Sequence, residues 1–251
     1  MSEAAPNPAD TYSVTAEFYD FMATPYWAQV DPLLPALLAE VDTMAGPLLD
    51  IGAGTGLSTV AIADALPEAE IVAVEPSAAM RAVLMSRLAA RKDLRERITV
   101  ESTGFFDAQL PNSCAAVVGL GVLGHFDAAA RSRLWSRIVG ILVDAGTAVI
   151  EVQQPYQVVA IPARRYTRAA AGRLRYEGWS EAIPIDDRSL TWRMSYYTLR
   201  DEIRIAEHVT EHRVWPVTPD AVVAEAASVG LVAEPSTGTG LLRFTKKSNH
   251  R

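Results

Sequence analysis

Between residues 46 and 152 short apolar runs alternate with longer stretches of mixed polarity. Leu48-Leu49-Asp50-Ile51, Ile71-Val72-Ala73-Val74, Ile98-Thr99-Val100, Ala115-Ala116-Val117-Val118 and Ala148–Val152 read as buried strands, because they are short and rich in aliphatic and β-branched residues. The intervening segments predict helices at about 57–66, 77–91 and 128–142. Strands alternating with helices of this length predict βαβ units: an α/β fold with a mostly parallel sheet, helices on both faces and right-handed connections.

The pattern changes after Pro155. Residues 163–176 carry Arg164, Arg165, Arg168, Arg173 and Arg175 without an acid and read as helical in part. Residues 190–199 and 203–215 then alternate in polarity across Asp201-Glu202, which predicts a long antiparallel hairpin. Thr218 is placed as an N-cap with Pro219 at the first helical position; the helix runs from Asp220 to about Ser228 and stops at Gly230. Strands at 231–233 and 241–245 follow. At the other end, residues 1–11 offer nothing to bury and are expected to be disordered. Thr15 is expected to cap a short helix, and Pro32–Val41 reads as an apolar helix. The expected division is a disordered start (1–11), a helical lid (12–45), a ligand-binding core (46–154), an antiparallel insertion capping the acceptor (155–215) and a closing helix with strands (216–251).

Composition narrows the class. Of 251 residues 49% are apolar, enough for a full core, and the net charge of −7 argues against a nucleic-acid binder that relies on positive charge. No apolar run approaches a membrane span of ~18 residues, and the start has no secretory character. The single Cys114 excludes a disulfide framework or a CxxC metal site and fits a cytoplasmic setting. Residues 1–80 hold 12 acids and no Lys or Arg, whereas residues 81–251 hold 18 acids and 23 bases. The asymmetry has no function or marks an approach for an anionic substrate; the first reading is preferred.

The chemistry concentrates in Asp50-Ile51-Gly52-Ala53-Gly54-Thr55-Gly56, entered by a strand and left by a helix. Glycines permit a sharp turn and close approach of a ligand, and the carboxyl edge of the first strand is where open α/β sheets bind them. Glu75 ends the second strand, where a carboxylate can accept from both hydroxyls of a ribose. The dinucleotide fingerprint GxGxxG would need glycine where Leu57 stands. Asp50 would also face a pyrophosphate unfavourably but a sulfonium favourably, so the residues point to S-adenosylmethionine (SAM) rather than NAD.

Together with Val72-Ala73-Val74-Glu75-Pro76-Ser77 and Met80, this loop resembles the class I SAM-dependent methyltransferases. The resemblance implies a Rossmann-like seven-stranded sheet with its last strand antiparallel. It also implies Glu75 on the ribose, the Gly52–Gly56 backbone under the methionine portion, Pro76 and Met80 nearby, and Leu120 and Gly121 on the far side of the cofactor. Where the family carries an acid for the adenine amine, this chain has Phe106, with Asp107 one residue late. Either Asp107 reaches the adenine, or the base is held by backbone amides and the rings of Phe105 and Phe106. The Tyr12…Tyr19-Asp20 pattern and the insertion resemble small-molecule and natural-product N- and O-methyltransferases, whose tyrosines close over the cofactor and acceptor.

Methyl transfer needs mainly alignment of the nucleophile and exclusion of water; a base is needed only where the acceptor must lose a proton early. His125, after the fourth strand, is the candidate base, and Tyr12 is a second catalytic candidate. Tyr12 and Tyr19 can contact the methyl group or the acceptor, with Tyr19 also a cofactor candidate; a packed N-terminal helix is the competing reading for both. A packing or capping role for His125 is the competing reading. His208 and His212 share a strand face but lack a third ligand, so no metal site is expected. Trp192, Met194 and Tyr196 share a face read as core rather than pocket. The Arg164/Arg165/Arg168 group reads as a solvated helix face rather than an anion site. Gln153 and Gln154 stand where they can orient an acceptor. The expected activity is SAM-dependent methylation of oxygen or nitrogen on a small, partly aromatic or apolar molecule. Nucleic acid and membrane are not expected as partners, and a homodimer is left open. The rival readings are a related fold that binds SAM but catalyses another reaction such as cyclisation, and a non-catalytic SAM-binding protein.

Overall fold

The computed structural model describes residues 10–234 and 239–248. Helix α1 (Thr15–Val30), a 3₁₀ turn (Asp31–Leu33) and α2 (Leu34–Leu38) lead into the core. The core runs β1 (Leu48–Ile51), α3 (Leu57–Ala65), β2 (Ile71–Val74), α4 (Ala78–Ala90), α5 (Lys92–Arg95), β3 (Ile98–Glu101), β4 (Cys114–Gly119), α6 (Ala128–Ile141) and β5 (Leu142–Glu151). Strands β6 (Ile161–Ala171), β7 (Leu174–Pro184), β8 (Leu190–Arg200) and β9 (Ile203–Val214) follow, then α7 (Pro219–Ser228), β10 (Leu231–Ala233) and β11 (Leu241–Lys246).

The strand order is β10-β11-β5-β4-β1-β2-β3, parallel except for β11, which is antiparallel to both neighbours. The central strands are buried and largely apolar because both faces are covered, with Asp50 in β1 an exception. Leu49, Val117 and Ile150 pack with Trp135 of α6 and Val222 of α7 on one face. Leu48, Val118 and Val149 pack with Ile62 of α3 and Leu84 of α4 on the other. The order reverses between β1 and β4, which opens a crevice at their carboxyl ends.

Several local expectations need correction. Residues 163–176 contain no helix. They form the first hairpin of a four-stranded antiparallel sheet, β6-β7-β8-β9, with Gly172 (φ 58°) opening its two-residue turn. The arginines belong to strands: Arg165 and Arg168 reach Glu177 on β7, an acid just past the basic run. The helix expected over 32–41 shortens to a 3₁₀ turn and the five residues of α2. Thr15 is not an N-cap; Val14 holds that place, and Thr15 Oγ1 instead lies 3.4 Å from Thr210 Oγ1 and accepts from the Tyr196 hydroxyl at 3.3 Å. The expected disordered start falls, for residues 1–9, outside the described residues. Asp10 is tied down, its carboxylate accepting from Tyr12 N, Ser77 Oγ and Ala79 N. Thr218 does cap α7, accepting from Ala221 N at 3.2 Å, with Pro219 as the first helical residue.

Helix α1 joins the two sheets. Phe18 stacks on Tyr196 at 4.9 Å, and Met22 completes the cluster. A Cβ on Gly178 would lie 2.7 Å from Met22 Sδ and 2.6 Å from Tyr166 Cζ, so any other residue there would make the Met22 and Tyr166 side chains shift.

Candidate active site

The loop after β1 is built from left-handed glycines at Gly52, Gly54 and Gly56, with φ of 67°, 56° and 88°. Gly52 N and Ala53 N both donate to Val74 O, which ties the loop to the end of β2. Gly56 caps α3 where a Cβ would stand 2.4 Å from Leu84 Cδ1. Gly54, by contrast, has no neighbour within 3.8 Å of a Cβ position, its nearest being Gly52 O at 3.9 Å. Its outer side is open to a ligand.

Glu75, at the end of β2, is buried and lines the cleft. Its Oε2 accepts from Gly54 N at 2.8 Å and its Oε1 from Ser77 N at 2.7 Å. Burial raises its pKa, while those amides and Arg81 act the other way. Each oxygen keeps a lone pair for a further donor, so the group fits a ribose diol. Pro76 and Met80 line the same wall, as do Phe106 and Asp107. Asp107 is exposed, and Phe106 is half-buried with the Arg133 guanidinium 4.7 Å above its ring.

Asp50 does not line the cleft. It is fully buried, with Oδ2 accepting from Ser58 Oγ (2.8 Å) and Thr59 Oγ1 (2.6 Å), while Oδ1 has no hydrogen-bond partner. Burial lifts its pKa to about 6. The carboxylate therefore clamps the start of α3 from below, in place of the direct contact expected of it. Thr55 and Gly56 also lie beneath the surface of the cleft, and Ala53 borders only a side cavity of about 30 Å³ next to Trp27 and Tyr26. Thr55 Oγ1 donates to Asp20 of α1 at 2.7 Å, and Arg87 of α4 pairs with the same carboxylate.

Across the crevice, Leu120 and Gly121 follow β4, and Gly121 N donates to Glu151 Oε2 at 2.8 Å. In the following turn, His125 Nε2 lies 2.7 Å from the Tyr12 hydroxyl. Tyr12 stacks on His212 at 4.4 Å, and the two imidazoles meet edge-on at 6.2 Å. Enclosure and the neighbouring His212 lower the pKa of His125 to about 4, so it is neutral at neutral pH. Burial raises the pKa values of Tyr12 and Tyr19. Both phenols stay protonated, and Tyr12 donates to Nε2 whenever that nitrogen is bare.

These walls enclose one cavity of about 1140 Å³. Its far side is the insertion: Trp192, Met194 and Tyr196 face into it, along with Tyr166, His212 and Trp215. The β8 face expected to be core is thus largely cavity wall, because the sheet stands off the core and α1 fills only part of the gap. Gln153 and Gln154 line it as expected. His208, on the same strand face as His212, lies farther along β9, with its ring 5.6 Å from Phe18. Among the described residues, no Lys or Arg lines the cavity; its acids are Glu75, Asp107 and Glu151. The basic second half of the chain therefore does not converge on the cleft. Sequence reasoning missed Glu151, although a lone carboxylate ending an apolar strand at the ligand edge was the available signal. It also missed Asp10 and Asp20, whose partners lie far away in sequence.

Residues 48–146 match the family model for a methyltransferase domain. The matched span runs from β1 into β5 and holds the glycine loop and Glu75, so this part of the chain is similar to a methyltransferase domain. An uncharacterized protein of Synechococcus sp. is 34% identical over 122 residues, which is 45% of this chain and 29% of that protein. The match thus spans less than a third of the relative's length. Among solved structures, the sugar N-methyltransferase KedS8 from Streptoalloteichus sp. is similar in fold (TM-score 0.70, 18% identity, 99% of this chain and 97% of the other). So is DesVI of Streptomyces venezuelae (TM-score 0.73, 16% identity, 96% and 100%). These likenesses in fold span residues 48–146, helix α1 and strands β6–β9 together.

Proposed function

We propose that the protein is a SAM-dependent methyltransferase acting on nitrogen or oxygen of a small, partly aromatic or apolar molecule. The observation that carries this reading is the joint geometry of Gly54 and Glu75: an open glycine beside a buried carboxylate whose oxygens can still accept. Bound SAM would supply a methyl group already activated on a sulfonium. In this reading Glu75 binds the ribose, with Gly52, Gly54, Leu120 and Gly121 along the methionine portion. Pro76, Met80, Phe106 and Asp107 border the adenine, and Tyr19 faces the junction with the acceptor. Asp50, Ala53, Thr55 and Gly56 act indirectly by holding the loop.

Tyr12 and His125 orient the acceptor. The aromatic wall of β8 excludes water, and alignment of the nucleophile supplies most of the rate. Neutral His125 can take a proton from an acceptor hydroxyl, whereas a neutral amine attacks through its lone pair without that help. Its relatives in fold KedS8 and CalS10 bear the names of a sugar N-methyltransferase and an amino pentose methyltransferase, which favours a nitrogen acceptor here.

Calorimetric titration with S-adenosylhomocysteine tests the reading. Binding is expected, with Glu75→Ala weakening it at least tenfold and NAD giving no heat. Folded protein that ignores S-adenosylhomocysteine would refute it.

A further inference from the structure

Glu151 closes β5 at the floor of the cavity and is 6% exposed. One of its oxygens accepts from Gly121 N. Among the described residues it has no ion pair, although the chain holds 23 Lys and Arg. Its surroundings are instead aromatic and neutral: Tyr19, Tyr26, Gln153 and the two glycine turns. Burial raises its pKa. An anion kept away from water without a counterion costs free energy unless a ligand compensates it. A buried carboxylate bordered by tyrosines and amide groups, in a cavity that no Lys or Arg lines, favours one class of ligand, a cation.

We propose that Glu151 is the counterion for an ammonium group bound in the cleft. The inference rests on the methyltransferase reading and extends it from the cofactor to the chemistry of the acceptor. An ammonium can come from an acceptor amine or from the amino-acid end of the cofactor. Glu151 borders both regions, with the turns at Gly52–Gly54 and Gly121 on one side and Gln153, Gln154 and strands β8 and β9 on the other. An acceptor anchored there carries a primary or secondary amine, which binds as an ammonium and passes one proton to the Glu151 carboxylate before its lone pair can attack. A carboxylate or phosphate in the same place would meet three acids and no base.

The test uses the full chain saturated with S-adenosylhomocysteine and two probes of matched shape, benzylamine and benzyl alcohol. Benzylamine is expected to bind at least tenfold more tightly than the alcohol at pH 7.5. Glu151→Gln, which keeps an oxygen for Gly121 N, is expected to abolish that preference without lowering Tm, and Glu151→Asp to retain part of it. If Glu151→Gln instead weakens S-adenosylhomocysteine tenfold but leaves its deamino analogue unchanged, the ammonium site stands and the cofactor fills it. Equal binding of the two probes to the wild-type complex, or a preference that survives Glu151→Gln, with cofactor affinity unchanged, overturns the proposal and leaves the methyltransferase reading intact. Failure of S-adenosylhomocysteine to bind would remove that reading itself.

Discussion

The carboxylates of the cleft show how burial divides one residue type into different tasks. Glu75 and Glu151 face the cavity, whereas Asp50 is sealed beneath it with one oxygen unpartnered. A carboxyl whose folded pKa lies above its unfolded value stabilises the fold most when protonated. The contribution of Asp50 is therefore present below pH 3.8 and is lost as pH rises toward about 6. Removing the charge should gain on the order of 3 kcal/mol above that window. Thermal melts of Asp50→Asn are expected to match wild type near pH 4 and to exceed it increasingly by pH 7. His125 gives a second test. If the acceptor is an amine, His125→Ala should lower kcat by only about tenfold, against the 10²–10⁴ typical of a required base. Its pH profile should also show no break near 6.5, since the folded imidazole titrates near 4. The places of the glycine loop after β1 and of Glu75 after β2 were legible because each directly follows a short apolar strand. The burial of Asp50 was not, because its partners Ser58 and Thr59 decide which way the carboxylate points.

At the scale of elements, most core strands and helices emerged from the sequence within a residue or two, since a two-sided buried strand and an amphipathic helix leave strong local patterns; β5 starts at Leu142, six residues before the expected Ala148, and the short α5 was not expected. The β6–β7 hairpin did not emerge. An edge strand with one wet face carries many charges, and its arginines are paired by Glu177, which lies on the neighbouring strand. The neighbouring hairpin between β8 and β9 was legible from alternation, and its turn carries strain. Asp201 and Glu202 both have positive φ, 49° and 66°. The left-handed conformation costs a non-glycine residue about 1–2 kcal/mol, while the exposed Glu202–Arg168 pair is worth ~0–1 kcal/mol. Glu202→Gly is therefore expected to raise Tm by about 2 °C, measured by calorimetry, with cofactor binding unchanged.

For the whole molecule, the parallel sheet with helices on both faces followed from strand–helix alternation, and its seven strands with an antiparallel one from the family resemblance, but the size of the cavity could not. It depends on how far the second sheet stands from the first, and that distance is set by long-range contacts such as Phe18 on Tyr196 and Met22 against Gly178. Such spacing has no local signature. The same distance decides whether Trp192 and Met194 pack or line a wall.

Residues 10–12 add a consequence for the timing of turnover. Asp10 is fastened to Ser77 and Ala79 beyond β2, and Tyr12 to His125 beyond β4, so the chain between them crosses over the end of β1. Whatever occupies that end lies under a strap held at both sides. It must be loaded before the strap closes and can leave only after both fastenings part. If the protein is the methyltransferase proposed above, turnover should follow a compulsory order, cofactor first on and its spent form last off. Rapid-quench experiments should then show a burst of methylated product, followed by a steady rate set by departure, and Asp10→Ala should raise that steady rate.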